Sequence, residues 1–219
     1  APNQMTGREP IQKGERRVVI KREGLVPALM MGYHVPNLNS PDSYVLEIIE
    51  AILSNGKSSR FYERLVREKQ VALRADADYS LTSFDPSLFF ITAEVLAGKD
   101  LITLEKAIDD EIVRLQVEPV TPEELSKAKN QLEAAFIYGQ DSVFYQAMVL
   151  ARHEIVATWK NVDNYLPAIR RVTADDVMRV ARQYLTQENR TVGHFVPIPP
   201  KDNKSVKPNN LIQEQRHMR

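Results

Sequence analysis

The chain has 219 residues, of which 43% are hydrophobic, so it can bury a substantial core as one large domain or two small ones. Its 29 basic and 29 acidic residues cancel, which argues against a general nucleic-acid or membrane-surface binder, because such proteins carry an excess of Lys and Arg. The absence of cysteine excludes disulfides, thiolate zinc sites, iron–sulfur clusters and cysteine nucleophiles. No apolar run reaches the ~18 residues of a membrane-spanning helix, and the first residues lack the apolar centre of a signal peptide.

The first elements are two strands and a helix. Residues 1–15 are polar and punctuated by Pro and Gly, which predicts a linker. The β-branched run 17–21 predicts a short strand, and the mostly apolar run 26–35 predicts a second strand in the middle of a sheet. Ser40-Pro41 then marks a helix start, because Ser caps helices and Pro fits their first turn.

Residues 55–69 combine a glycine break with a short charged helix. Gly56 suits the left-handed conformation that ends one helix, and Ser58 or Ser59 is placed to cap the next. Apolar residues three and four positions apart predict a buried face, made of Phe61, Tyr62, Leu65 and Val66. The opposite face, where any chemistry of this helix would lie, consists of Arg60, Glu63, Arg64, Arg67 and Glu68.

Gly56-Lys57-Ser58 also matches the end of the phosphate-binding P-loop, GxxxxGK[ST]. The first glycine of that motif would fall at position 51, which is Ala51. The motif must also follow a strand, whereas the preceding residues have helical periodicity. We therefore interpret Gly56 as a helix break.

The second half is mainly helical. Residues 73–81 alternate between apolar and polar, and 87–95 are more apolar, which predicts an antiparallel hairpin. Residues 100–185 have helical periodicity, with capped starts at Thr121 and Thr173, before a last strand at 190–197 and a tail at 198–219. Because strands and helices occur in separate blocks, the predicted fold is α+β: a largely antiparallel β-sheet with helices packed on one face, over residues 16–197.

The histidines do not form a recognisable metal site. They are His34, His153, His194 and His217, far apart in sequence, and neither HExxH nor HxxEH occurs. His153-Glu154 begins the first motif, but Ala157 occupies the position of its second His, so His153 is predicted to lie on a helix surface. His34, in an apolar strand, is predicted to be a hydrogen-bonded structural residue.

Two groups of neighbouring acids fit exposed faces better than acid–base pairs. Asp109-Asp110-Glu111 is predicted on the solvent side of an amphipathic helix, and Asp76 and Asp78 on the polar side of a strand. The motifs GxSxG and GxGxxG are absent. The residues alone therefore show no catalytic constellation.

Six short segments, taken in order, carry a resemblance to a known family. They are 32–36 (GYHVP), 52–60 (ILSNGKSSR), 65–69 (LVREK), 85–89 (DPSLF), 121–125 (TPEEL) and 172–177 (VTADDV). Together they resemble the second, non-metal-binding domain of the M16 zinc peptidases, which include pitrilysin, insulinase and the mitochondrial processing peptidases. The resemblance covers residues 16–197 and implies a LuxS/MPP-like fold.

The resemblance implies a two-lobed zinc metalloendopeptidase. In this family two similar domains close around a peptide chamber, and the first binds zinc through HxxEH and a distal Glu. A chain that resembles the second domain is expected to have no metal ligand, catalytic residue or cofactor of its own. Its expected partners are a peptide substrate and an HxxEH-bearing domain or subunit, which carries the zinc. Binding to nucleic acid or to a membrane is not expected. A dimer is possible.

Two arginines are the candidate substrate-binding residues. Active family members supply an Arg and a Tyr, seven residues apart, that bind the substrate backbone beside the zinc. By resemblance the Arg position matches Arg67, whereas the Tyr position falls on Arg74, so the pair is broken. A guanidinium is a strong donor to a peptide carbonyl, but an ion pair on the charged helix face is the alternative role for Arg67. The longer Arg74 side chain can contact groups other than the substrate, or can face solvent.

Two functions are compatible with these residues. The first is an accessory domain that closes over a peptide and helps to position its backbone at a zinc site on another domain or subunit. The second is a catalytically dead domain that has a structural or partner-binding role. Both predict no hydrolysis by this chain alone. By analogy with exported bacterial relatives we expect a periplasmic location, with the cytoplasm as the alternative.

Overall fold

A computed structural model describes residues 11–199 as one sheet with a layer of helices. The strands are β1 (Arg16–Glu23), β2 (Ala28–Val35), β3 (Ala72–Asp78), β4 (Ser87–Val95) and β5 (Arg190–Ile198). Their order across the sheet is β1-β5-β2-β4-β3, so β2 is the central strand, as its apolar sequence predicts. β1 pairs with β5 in parallel and the other pairs are antiparallel, which confirms the largely antiparallel α+β fold.

The helices follow the predicted blocks. They are α1 (Asp42–Ser54), a π-helix (Tyr62–Glu68), α2 (Leu101–Val117), α3 (Pro122–Gly139), α4 (Val143–Val156), α5 (Val162–Arg171) and α6 (Ala174–Tyr184). Most of the predicted linker 1–15 and of the predicted tail 198–219 lies outside the described residues. Residues 12–15 contact the fold, since Gln12 is buried and the Gly14 amide donates to the Glu188 carbonyl at 3.0 Å.

One face of the sheet is covered by helices. On β2 and β4 every second side chain is buried, and these residues are Leu29, Met31, Tyr33, Val35, Phe89, Ile91, Ala93 and Val95. Helix α2 contacts both strands, α6 contacts β2, and α1 contacts β3. Met30, on the opposite face of β2, is about half exposed. The hydrophobic core therefore lies between the sheet and one helical layer, as predicted.

The caps predicted at Thr121 and Thr173 are both present, each as a capping box. Thr121 Oγ1 accepts the Glu124 amide at 3.2 Å while the Glu124 carboxylate accepts the Thr121 amide at 3.2 Å. Thr173 and Asp176 make the same reciprocal pair at the start of α6. At α1 the structure differs by one residue, because Pro41 is the cap and Ser40 Oγ accepts the Asp42 amide.

Gly56 ends α1 with φ +81°, which confirms the helix break and removes the P-loop interpretation, because no strand precedes it. The predicted cap on the following helix is wrong. That helix has no side-chain cap, and the Glu63 amide donates to the backbone carbonyl of Ser59 instead. It is a π-helix whose last turn is wide, with the Lys69 amide donating to the Arg64 carbonyl at 2.9 Å.

Candidate functional site

Arg67 lies on the exposed side of the π-helix, next to β3. Its side chain is 69% exposed, and Nη1 donates to the two carboxylate oxygens of Glu63 at 3.0 and 3.2 Å. Phe61 and Leu65, on the other side of the same helix, are fully buried and anchor it to the core. Arg67 is therefore held near the surface by a helix that cannot rotate freely.

Arg74 lies on the edge strand β3, just beyond a backbone irregularity. Gln70 has φ +49°, and the pairing register with β4 shifts between Ala72 and Arg74. The Arg74 guanidinium donates to Glu94 on β4 at 3.0 Å and lies 3.4 Å from the Asp76 carboxylate. Arg67 and Arg74 thus each have their own acidic partners, and neither is bonded to the other.

Arg60 was predicted on the charged, exposed face of the helix, and this position is wrong. Its side chain is only 9% exposed, and it donates two hydrogen bonds to Glu124 at 2.8 and 2.9 Å. These bonds lower the pKa of the Glu124 carboxyl against the opposing effect of burial. Glu124 is also the capping-box residue of α3, so this bidentate pair fixes the glycine-break segment onto the start of α3.

The sequence predicted that the acidic triplet on α2 faces solvent, and for two of its three residues this is wrong. Glu111 is fully buried, with Arg64 Nε at 3.3 Å and Arg114 Nε at 3.8 Å, and burial raises the pKa of its carboxyl. Burial also raises the pKa of Asp109, which pairs with the buried Arg190 of β5. Only Asp110 keeps the predicted exposed position. The periodicity missed this because α2 is covered on more than one side, by the sheet, by α6 and by the π-helix.

His194 belongs to an ion-pair network between α2 and the strands β1 and β5. Its Nε2 lies 2.7 Å from Glu105, which also pairs with Arg17 and Arg190. Burial acts to raise the pKa of Glu105, but the hydrogen bonds from Arg17 and His194 outweigh it and lower the pKa. This network connects the parallel strand pair to the helical layer.

The histidines of the described chain are in three separate places. His34 is half-buried on β2, and His194 is bonded to Glu105. His153 is buried rather than on a helix surface, which corrects its predicted position. Among residues 11–199 no three His, Cys, Asp or Glu side chains are grouped so that they could hold a metal ion, and their placement does not fit a zinc site.

A cavity that the sequence did not predict lies inside the helical layer. Its volume is about 250 Å³, and its walls come from α1, α3, α4, α5 and the turn after β3. Its lining includes the aromatic and titratable residues Glu47, Tyr79, Phe136, Tyr145, His153 and Tyr165. No local pattern could have found them, because they are spread over more than 100 positions and meet only in the folded chain.

The fold defines the class as an α+β domain with a largely antiparallel five-stranded sheet covered by one layer of helices. The model of the family described as "Peptidase M16 inactive domain" matches residues 1–132. The chain therefore belongs to the M16 peptidase family, as an inactive-type domain.

Individual relatives agree with this assignment. The chain is 26% identical over 191 residues to the zinc protease PqqE of Helicobacter pylori, covering 87% of this chain and 43% of that protein. The crystal structure of a protease from Helicobacter pylori superposes with a TM-score of 0.85 at 26% identity, covering 90% of this chain and 47% of that one. The chain thus spans less than half the length of these relatives.

A solved inactive peptidase domain from Bordetella parapertussis matches this chain over almost its whole length. It superposes with a TM-score of 0.71 at 26% identity, covering 84% of this chain and 99% of that one.

In the part of the chain that the structure describes, no helix is both long and apolar enough to cross a bilayer.

Proposed function

We propose that this chain is the metal-free lobe of an M16-type zinc metalloendopeptidase. It closes over a peptide and helps to position the peptide backbone at a zinc site carried by an HxxEH-bearing domain or subunit. The observation that carries the proposal is membership of the inactive-domain family by a chain that spans only 43% of a zinc protease relative.

The position of Arg67 supports a contact with substrate. Its guanidinium is largely exposed, and its partner Glu63 is on the same short helix, so exchange of that carboxylate for a peptide carbonyl needs no movement of the core. An exposed ion pair of this kind contributes about 0–1 kcal/mol, so a substrate carbonyl can replace it at little cost.

Arg74 supports the alternative function, a structural or partner-binding domain. It replaces the family Tyr, and both of its carboxylate partners lie on the sheet, which keeps the guanidinium on the strand surface. If Arg67 also serves only its local ion pair, the lobe can bind a partner subunit without touching the substrate.

Addition of the HxxEH-bearing domain separates these functions. Its sequence would come from the adjoining coding sequence, and peptide cleavage would be measured with that domain and the 219-residue chain together. We expect Arg67→Ala to lower kcat/KM by at least about tenfold, because a charge-assisted hydrogen bond to the bound peptide is lost.

Arg170→Ala is the matched control, since Arg170 is also exposed and paired with a glutamate, Glu133, but lies on α5. The complex that carries Arg170→Ala should cleave the peptide at the same rate as the unaltered complex. A complex that forms normally and cleaves equally fast with Arg67→Ala would exclude the substrate-positioning role and favour the structural one.

We also propose a periplasmic location, with the cytoplasm as the alternative. Fractionation of the native host, with detection of the chain by antibody, tests this directly. Recovery in the cytoplasmic fraction alone would contradict it.

A further inference from the structure

The cavity inside the helical layer has walls suited to a small ligand. Phe136 and Tyr165 stack with their ring centroids 4.9 Å apart, and the rings of Tyr79 and Tyr145 complete an aromatic lining. The Tyr79 hydroxyl donates to the Pro36 carbonyl at 2.6 Å, so its ring, rather than its hydroxyl, is offered to the cavity. Aromatic faces attract cations as well as apolar groups.

His153 contributes an unused hydrogen-bond acceptor. The residue is 4% exposed, and its Nδ1 lies 2.9 Å from the Val149 carbonyl. A carbonyl oxygen can only accept, so Nδ1 carries a hydrogen; in the tautomer with that single ring hydrogen, Nε2 is an acceptor. Nε2 is buried and has no hydrogen-bond partner among the described residues. A buried polar atom in that state is expected to meet a donor supplied from elsewhere.

Glu47 contributes a carboxyl group to the same cavity. It lies on the inner side of α1, and the Tyr165 hydroxyl donates to its Oε2 at 2.8 Å. Burial raises the pKa of Glu47 to about 7, which shows that the protein provides little compensation for its charge. Arg152 also lines the cavity, but it is exposed, so solvent screens its charge.

We propose that this cavity binds a small organic ammonium ion with an aromatic or branched apolar body. The ammonium group has three N–H donors, which suit the carboxylate of Glu47. His153, whose Nε2 has no hydrogen-bond partner among the described residues, lines the same cavity. The aromatic rings then enclose the apolar body and face the positive charge. The proposal is independent of the peptide-positioning function, because the cavity is formed by the helical layer and contains neither Arg67 nor Arg74.

Isothermal titration calorimetry tests the proposal: phenethylammonium chloride is titrated into the 219-residue chain. We expect saturable 1:1 binding, and binding of the neutral analogue 2-phenylethanol at least about tenfold weaker, since it lacks the charge-assisted hydrogen bonds. Glu47→Gln preserves the shape of the side chain and should weaken phenethylammonium binding by a similar factor.

Two further variants locate the site. Glu68→Gln makes the same substitution at an exposed residue of the π-helix that does not line the cavity, and should leave the affinity unchanged. Gly139→Ala should abolish binding, because a Cβ atom there would lie 2.3 Å from the ring of Tyr145 and would displace that wall. Circular dichroism checks that each variant is folded.

Three results would overturn the proposal: no saturable binding of phenethylammonium to the folded chain below about 10 mM, equal affinity for the alcohol, or equal weakening by Glu47→Gln and Glu68→Gln. Each of these can occur while Arg67→Ala still impairs peptide cleavage, so the two proposals fail separately.

Discussion

At the scale of single residues, Glu47 and Glu50 make the stability of the fold depend on pH in the neutral range. Burial raises the pKa of Glu47 to about 7, and burial together with the charges of Glu47 and Asp78 raises that of Glu50 to about 8. The folded chain therefore binds more protons than the unfolded chain between pH 4.5 and about 8. Stability should fall as pH rises through this window, since ionisation of these groups is harder in the folded state.

Glu47→Gln is expected to flatten this decline. Relative to the unaltered chain, the variant should gain up to about 3 kcal/mol of unfolding free energy between pH 5 and pH 8.5. Urea unfolding at both pH values measures the change, with Glu68→Gln on the exposed face of the π-helix as the control. Equal gains for the two variants would show that Glu47 is not the group that titrates.

Residue positions were only partly predictable. The sequence identified Arg67 as exposed, but it placed Arg60 on the same face, although Arg60 is buried against Glu124. Periodicity describes one helix at a time, and the partner of Arg60 is 64 residues away. The predicted substrate-binding role of Arg67 and Arg74 stays a prediction.

At the scale of elements, Gly56 shows how backbone conformation sets a helix boundary. Gly56 and Gly98 have φ +81° and +84°, and a Cβ atom would meet no close neighbour at either position. Replacement by Ala should therefore cost about 1–2 kcal/mol of unfolding free energy at each, entirely from the left-handed backbone.

Gly14 is the control for that pair. It also has open space around it but no positive φ, so Gly14→Ala should change the unfolding free energy by less than about 0.5 kcal/mol. Thermal or urea unfolding of the three variants provides the comparison. A cost at Gly14 as large as that at Gly56 would mean that the conformational argument is wrong.

Elements with local signals were predicted well, and those without were not. The capping boxes at Thr121 and Thr173 are reciprocal contacts between residues three apart, so the sequence contains the whole interaction. The π-helix was missed because apolar residues three and four apart suit a wide turn as well as an α-helix. Its wide turn is visible only in the backbone hydrogen bonds.

At the scale of the whole molecule, the last strand holds the sheet together. β5 lies between β1 and β2, and β1 has no other partner in the described sheet. A chain that ends at residue 188 should therefore lose the cooperative unfolding transition of the full chain, because β1 is left unpaired and the edge of the central strand β2 is exposed. Denaturant unfolding followed by circular dichroism measures this. A truncated chain with the same midpoint and slope would show that β5 is dispensable.

The sequence by itself determined the α+β class, most helix and strand positions, the helix break at Gly56 and the M16 family. All of these depend on local periodicity, capping chemistry or short ordered motifs. Only the tertiary structure decided that β5 joins β1 to β2, that Arg60, Glu111 and His153 are buried, and that distant side chains meet to line a cavity. The reason is physical: burial and pairing depend on which elements come together in space, and those partners lie tens of residues apart along the chain.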